Sequence, residues 1–276
     1  WTNSGITGQF TTRGNGIVWN GTRWIAGGQG GSTLVYSNNN GLTWLSPLSI
    51  FSTYCHKLSW TSNLSTVYVQ HPTLALGSGG SNTIAYSLDG ITYRGLGNTI
   101  FTTECNHAVW NGNRWFAVGQ GDNTIAYSND GIIWTGLGNI MFSKGRGIAW
   151  NGNMFVAVGD SLTSNITIAY SYDGINWTLS TSTILAKGSS VAWNGTRWIA
   201  VGTTNTHSVA YSTDGINWTG ATSPFNSASG IAWNGIDTWV AVGVGTSTIA
   251  YSNDNGVTWS TTRSEERRVG KECRIG

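Results

Sequence analysis

Residues 190–219 read SVAWNGTRWIAVGTTNTHSVAYSTDGINWT. Four short runs rich in Val, Ile, Trp and Tyr stand out: Ser190–Trp193, Arg197–Gly202, Ser208–Tyr211 and Ile216–Thr219. Turn residues bound each run, as expected of β-strands joined by tight connections. Asn194-Gly195 joins the first two and predicts a hairpin centred on that pair, because a type I′ turn needs φ > 0 at both central residues. Proline cannot donate to a strand ladder, and Pro47, Pro72 and Pro224 all fall between such runs.

The unit recurs along the chain. A Trp-Asn-Gly column holds Trp19, Trp110, Trp150, Trp193 and Trp233, with Trp60 in the same place. A Tyr-Ser column holds Tyr36, Tyr86, Tyr127, Tyr170, Tyr211 and Tyr251. An outer aromatic column holds Trp44, Tyr93, Trp134, Trp177, Trp218 and Trp259, with Trp1 an earlier member. The period is 41–43 residues, with one enlarged repeat ending at Tyr93. Four antiparallel strands repeated at this spacing predict an all-β fold, a β-propeller. One blade cannot bury both its faces, so neighbours must stack. The expected count is six four-stranded blades, or seven if a blade is lost to truncation.

Composition narrows the function. Of 276 residues, 9% are charged and 16 are Trp. No apolar run reaches the length of a membrane span, and no long helical periodicity appears. So many Trp exclude a disordered chain. A formal charge of +2 argues against binding nucleic acid through its phosphates. The low charge and the abundance of Ser, Thr, Asn and Gly suggest an extracellular or surface protein. Residues 263–276 depart from this pattern: five basic and three acidic residues crowd there, and without them the body is neutral. The expected division is a propeller over 1–262 and a non-native or disordered tail over 263–276. The run Arg263–Cys273 resembles an in-frame translation of a sequencing adapter.

The turn before the outer aromatic carries a recognisable motif. Ser252-Asn-Asp254-Asn-Gly256-Val-Thr258-Trp259 resembles the Asp-box (BNR repeat) pattern in full. Shorter copies hold Asp89, Asp130, Asp173 and Asp214, and the first copy has Asn39 in the Asp place. The resemblance covers nearly all of the body. It implies the Asp-box propellers of sialidases, sortilin-type receptors, polysaccharide-degrading enzymes and photosystem assembly factors, so it implies a fold and leaves function open. The box aspartates are read as structural: each accepts backbone N–H groups of its own turn. Loss of one is expected to cost roughly 1–3 kcal/mol.

Candidate functional residues are those outside the columns. All 16 Trp fall into repeat positions, so core packing accounts for them. Arg23, Arg114 and Arg197 share one repeat position beside the hairpin turn and are read as exposed cations there, not as a sialidase triad. Glu104 with Asp122 is the carboxylate pair to consider for glycoside hydrolysis, with Asp160 and Asp237 the other acids outside the boxes. Cys55 and Cys105 occupy equivalent places on neighbouring blades, with His56 and His107 nearby; buried thiols are favoured over a disulfide or metal site. The residues six and four before the column Trp vary from blade to blade: Arg13, Tyr54, Glu104, Lys144 and Lys187, then Asn15, His56, Asn106 and Arg146. They lead into the innermost strand and are expected to ring the channel mouth as a ligand site. The expected function is a non-catalytic extracellular binding module for a glycan or a surface protein, with no cofactor and no metal. The alternatives are a structural repeat domain of a self-associating surface or filament protein, and a sialidase-like glycoside hydrolase.

Overall fold

A computed structural model describes residues 10–46, 50–60, 72–162 and 165–261. Trp1, Pro47 and the tail lie outside them. The described chain contains strands and no helix, as the repeat predicts. Blade 1 comprises β1 (Arg13–Trp19), β2 (Trp24–Gln29) and β3 (Leu34–Ser37), with a Tyr36–Leu45 bridge on its outer side. Blade 2 comprises β4 (Tyr54–Ser59), β5 (Thr73–Ser78), β6 (Ile84–Ser87) and β7 (Arg94–Gly95). Blade 3 comprises β8 (Glu104–Trp110), β9 (Trp115–Gln120), β10 (Ile125–Ser128) and β11 (Trp134–Gly136). Blade 4 comprises β12 (Phe142–Trp150), β13 (Phe155–Ser161), β14 (Ile168–Ser171) and β15 (Thr178–Leu179). Blade 5 comprises β16 (Leu185–Trp193), β17 (Trp198–Thr204), β18 (Val209–Ser212) and β19 (Thr219–Ala221). Blade 6 comprises β20 (Phe225–Trp233), β21 (Trp239–Gly245), β22 (Ile249–Ser252) and β23 (Ser260–Thr261). All pairing inside the blades is antiparallel.

The first hairpin turn differs from the Asn-Gly centre expected of it. Trp193 pairs with Trp198, and Asn194 N–H donates to the Arg197 carbonyl at 3.2 Å. The two residues at the tip are therefore Gly195 and Thr196. Only Gly195 has positive φ, at 101°, which is the type II′ requirement of glycine at the first centre. The asparagine caps the turn instead: Asn194 Oδ1 accepts the Thr196 and Arg197 N–H groups at 3.0 and 2.8 Å.

In the Ser-x-Asp-Gly turns the side chains accept hydrogen bonds from the turn's own backbone. Asp130 Oδ1 accepts the Ile132 and Ile133 N–H groups, both at 2.8 Å, and the Ser128 hydroxyl at 3.0 Å. The outer tryptophan folds back, with Trp134 Nε1–H donating to the Gly131 carbonyl at 3.1 Å. The turn is exposed at Asp130 and Ile132, so water can replace a lost acceptor. The cost of losing one aspartate therefore belongs at the low end, about 0.5–1.5 kcal/mol.

Arg23, Arg114 and Arg197 are half-buried rather than exposed. Each guanidinium lies over the tyrosine of its own third strand, 4.9 Å from the ring centre for Arg197 on Tyr211, a cation–π contact within the blade. Equivalent pairs join Arg23 to Tyr36 and Arg114 to Tyr127.

Between blades, the far face of one packs on the near face of the next. Phe116, Val118 and Ile125 of blade 3 meet Phe142, Ile148, Phe155 and Ala157 of blade 4 in one buried cluster. Similar clusters join blades 1 and 2, 2 and 3, 4 and 5, and 5 and 6. Bulky residues at alternate positions of the second strand oppose alanine on the following blade, so the sheets interlock at close-packed density. Cys55 and Cys105 are free, buried thiols within this packing. Burial pushes the Cys55 thiol up to about 12, which makes it unreactive.

Candidate binding site at the channel mouth

Every inner strand carries a β-bulge at the same place. Pairing with the second strand skips one residue between Gly14 and Gly16, Cys55 and Lys57, Cys105 and His107, Gly145 and Gly147, Gly188 and Ser190, and Ala228 and Gly230. The skipped residues are Asn15, His56, Asn106, Arg146, Ser189 and Ser229. A bulge leaves its extra residue unpaired and re-aims it. Here it turns the skipped residue of each strand toward the axis, and in blades 2, 3, 5 and 6 the next residue as well. Together they line one polar cavity of about 310 Å³ to which all six blades contribute.

Of the nine residues expected at the mouth, the four before-Trp set lines the cavity: Asn15, His56, Asn106 and Arg146. The six-before set, Arg13, Tyr54, Glu104, Lys144 and Lys187, lies outside that lining, because it precedes the bulge. Arg13 and Lys187 are exposed. Arg13 lies 5.8 Å from the Tyr54 ring centre, and Tyr54 meets His56 edge-on at 4.3 Å.

The charged members bind one another across blades. Glu104 is buried, only 4% exposed. It pairs with Lys144 of blade 4, lies 3.3 Å from His56 Nε2 of blade 2, and accepts Asn106 Nδ2–H at 3.1 Å. Burial opposes its ionisation, but His56, Lys144 and Asn106 together bring the carboxyl down to about 2. Arg146 grips Asp160 in a two-pronged pair, 2.8 Å at each prong. Asn106 also donates to the Gly145 carbonyl of blade 4 at 2.9 Å, and Asn15 to the Cys55 carbonyl of blade 2 at 2.8 Å. Much of the mouth is thus a polar seam that stitches adjacent blades.

The carboxylates are poorly placed for glycoside hydrolysis. A general acid needs a raised pKa, whereas Glu104 is held low and Asp160 is clamped by Arg146. Asp122 is exposed and is absent from the cavity lining. Asp237 sits at the opposite, hairpin end, bonded to Asn234 and Thr238. Among the described residues no group of three His, Cys, Asp or Glu is arranged to hold a metal ion.

The sequence reading passed over Lys57. It follows the skipped His56, so the bulge brings it into the cavity that His107, Asn106 and Ser190 also line. Its ammonium has no hydrogen bond or ion pair among the described residues; the residue is exposed as a whole, and partial withdrawal from water lowers its pKa. His107 accepts the Ile148 N–H on Nδ1 at 3.2 Å. Burial, and then the Lys57 charge, bring that imidazole down to about 3. The small residue just ahead of each skipped position, Gly, Cys or Ala, was the available signal for the bulge, and with it for the second lining column.

No protein-family model matches the chain, and no curated protein does. Solved structures do. YCF48 from Cyanidioschyzon merolae aligns with TM-score 0.64 at 14% identity, over 90% of this chain and 84% of that one. The fold is a β-propeller. YCF48 bound to D1 peptide aligns with the same score at 16% identity, over 91% of this propeller and 83% of that chain. The Niastella koreensis GH74 enzyme aligns at 0.55 and 18% identity, with this propeller spanning 35% of its length. At these identities the likeness is one of fold. Among the described residues no helix is long and apolar enough to cross a membrane.

Proposed function

We propose that this chain is a non-catalytic Asp-box propeller of the extracellular or surface type, whose channel mouth binds an acidic segment of a protein partner. One observation carries the reading. Bulges in six inner strands place six side chains of four kinds around a single polar cavity, and within it the Lys57 ammonium has no ion-pair partner among the described residues. An anionic group entering there gains a charge-assisted hydrogen bond, and the hydroxyls of Ser189 and Ser190 line the same cavity. The peptide seen on one YCF48 structure is consistent with this use of such a fold.

A glycan partner is the weaker form of the same reading. Sugar rings favour an aromatic platform, and the Trp are committed to the repeat columns. The clamped carboxylates favour neither a sialidase nor a glycosidase.

Arrays of acidic peptides, neutral peptides, and acidic and neutral glycans test the proposal. Acidic peptides should bind in the micromolar to millimolar range, roughly 4–8 kcal/mol. Lys57→Gln should weaken them by about tenfold or more. Glycan hits in place of peptide hits would transfer the site to the glycan reading. Peptide hits indifferent to Lys57→Gln would remove the channel from the account.

A further inference from the structure

Five blade-to-blade clusters are present, one at each junction from blade 1 to blade 6. Among the described residues none joins blade 6 to blade 1. The faces flanking that junction are apolar and open. On the far face of blade 6, Val240, Val242 and Ile249 are 38%, 42% and 43% exposed. Their counterparts on blade 5, Ile199, Val201 and Val209, are wholly covered by blade 6. On the near face of blade 1, Ile17 is 60% exposed, whereas its counterparts Leu58, Ala108, Ile148 and Val191 are at most 7% exposed and Ile231 is half-buried.

The two open faces are unlike each other, and each has a known complement. The far-face pattern, two bulky residues on the second strand and one on the third, is covered elsewhere by the near face of a following blade. The near-face pattern of blade 1 is covered elsewhere by the far face of a preceding blade. One object presents both surfaces at once: another blade of the same repeat. The sequence carries a matching sign. The outer aromatic column has seven members. The six blades contain Trp44, Tyr93, Trp134, Trp177, Trp218 and Trp259, which leaves Trp1 over. Trp1-Thr2 repeats the Trp-Thr pair found at Trp134, Trp177 and Trp218.

We infer that the junction between blades 6 and 1 is the seat of a seventh four-stranded blade of this repeat, which covers Val240, Val242 and Ile249 with one face and Ile17 with the other. In a stack of repeats each interface adds its own stabilisation, so an unfilled seat leaves two terminal blades with one neighbour each. It also leaves an apolar surface of the kind that marks an interaction site.

The probe is a second copy of residues 181–221, inserted directly after Thr261, compared with the uninserted chain. Hydrogen exchange in β1 and β21 should slow by roughly tenfold or more on insertion. The melting temperature should rise by roughly 5 °C or more. Val242→Lys should cancel both gains, yet shift the uninserted chain by no more than about 2 °C, because that side chain is already exposed. Three results would overturn the inference. One is an insertion that folds and changes neither reading. Another is β21 exchanging as slowly as β17 in the uninserted chain, which would mean that six blades close on themselves; this measurement does not depend on the insertion folding. The third is a discrete dimer in light scattering that Val242→Lys dissolves, which would give the seat to a second copy.

Discussion

At the scale of single residues, His107 and the box aspartates both make the fold less stable as pH falls, each in its own window. The His107 imidazole titrates near 6.5 when free and near 3 in the channel wall. Between those values the unfolded chain binds a proton that the folded chain refuses, so stability falls as pH drops from 6.5 toward 3. The slope should approach at most about 1.4 kcal/mol per pH unit. His107→Asn should flatten it between pH 6.5 and 4.5, as read by urea unfolding at stepped pH. Below about 4.5 other groups take over. Glu104 and the aspartates 89, 173, 214 and 254 all sit near 2 in the fold. Their stabilisation is complete above the ordinary carboxylate range and is lost as pH falls toward 2. The aspartate charge itself is dispensable in the turn: Asn39 Oδ1 accepts the Ser37 hydroxyl and the Thr43 N–H, both at 2.9 Å. Asp173→Ala should therefore cost about 0.5–1.5 kcal/mol at neutral pH, and Asp173→Asn clearly less.

At the scale of elements, the bulged inner strand is the device that makes a site out of a repeat. It needs close backbone approach on the strand beside it. A Cβ on Gly119 would lie 2.3 Å from the Glu104 carbonyl oxygen and 2.6 Å from the Phe101 ring. Neither can retreat, because Glu104 is tied to Lys144 and Phe101 is fully buried. Gly119→Ala should cost about 1–3 kcal/mol and disturb the Asn106 and His107 resonances in an NMR spectrum. The strand runs and their boundaries were legible because alternation and turn residues are local signals. The bulge left only a faint mark, the small residue ahead of each skipped position, whose meaning appears only against the register of the partner strand. Reading β8 as a regular strand gives Glu104, Asn106 and Ala108 one face and hides His107 on the other. The same limit explains the hairpin tip, where the Trp193–Trp198 pairing decides that Gly195-Thr196, and not Asn194-Gly195, sits at the turn.

At the scale of the molecule, stability is a chain of nearest-neighbour interfaces, so equivalent positions are not equally important. Val158 lies wholly buried between blades 4 and 5, while Val242 occupies the same place on blade 6 and is 42% exposed. Val158→Ala should cost about 1.5–2 kcal/mol, from the two methyl groups lost. Val242→Ala should cost less than half of that by chemical denaturation. Hydrogen exchange should follow the same gradient, slowest in β9, β13 and β17 and fastest in the outer strands of blades 1 and 6.

The sequence by itself determined the repeat, its four-strand unit, the box turns and the commitment of every tryptophan to a column. These follow from spacing and local chemistry, which act within one repeat. Only the tertiary structure decided which variable residues meet. Glu104, Lys144 and His56 come from three blades and neutralise one another, so residues that looked like separate ligand groups are largely one another's partners. Lys57, without an ion pair among the described residues, enters the cavity only because a bulge turns it to the axis. The open faces of blades 1 and 6 likewise cannot be read from their own residues, which match those of buried blades. Exposure is a property of what stands opposite, and a repeat carries no local mark of whether a neighbour covers it.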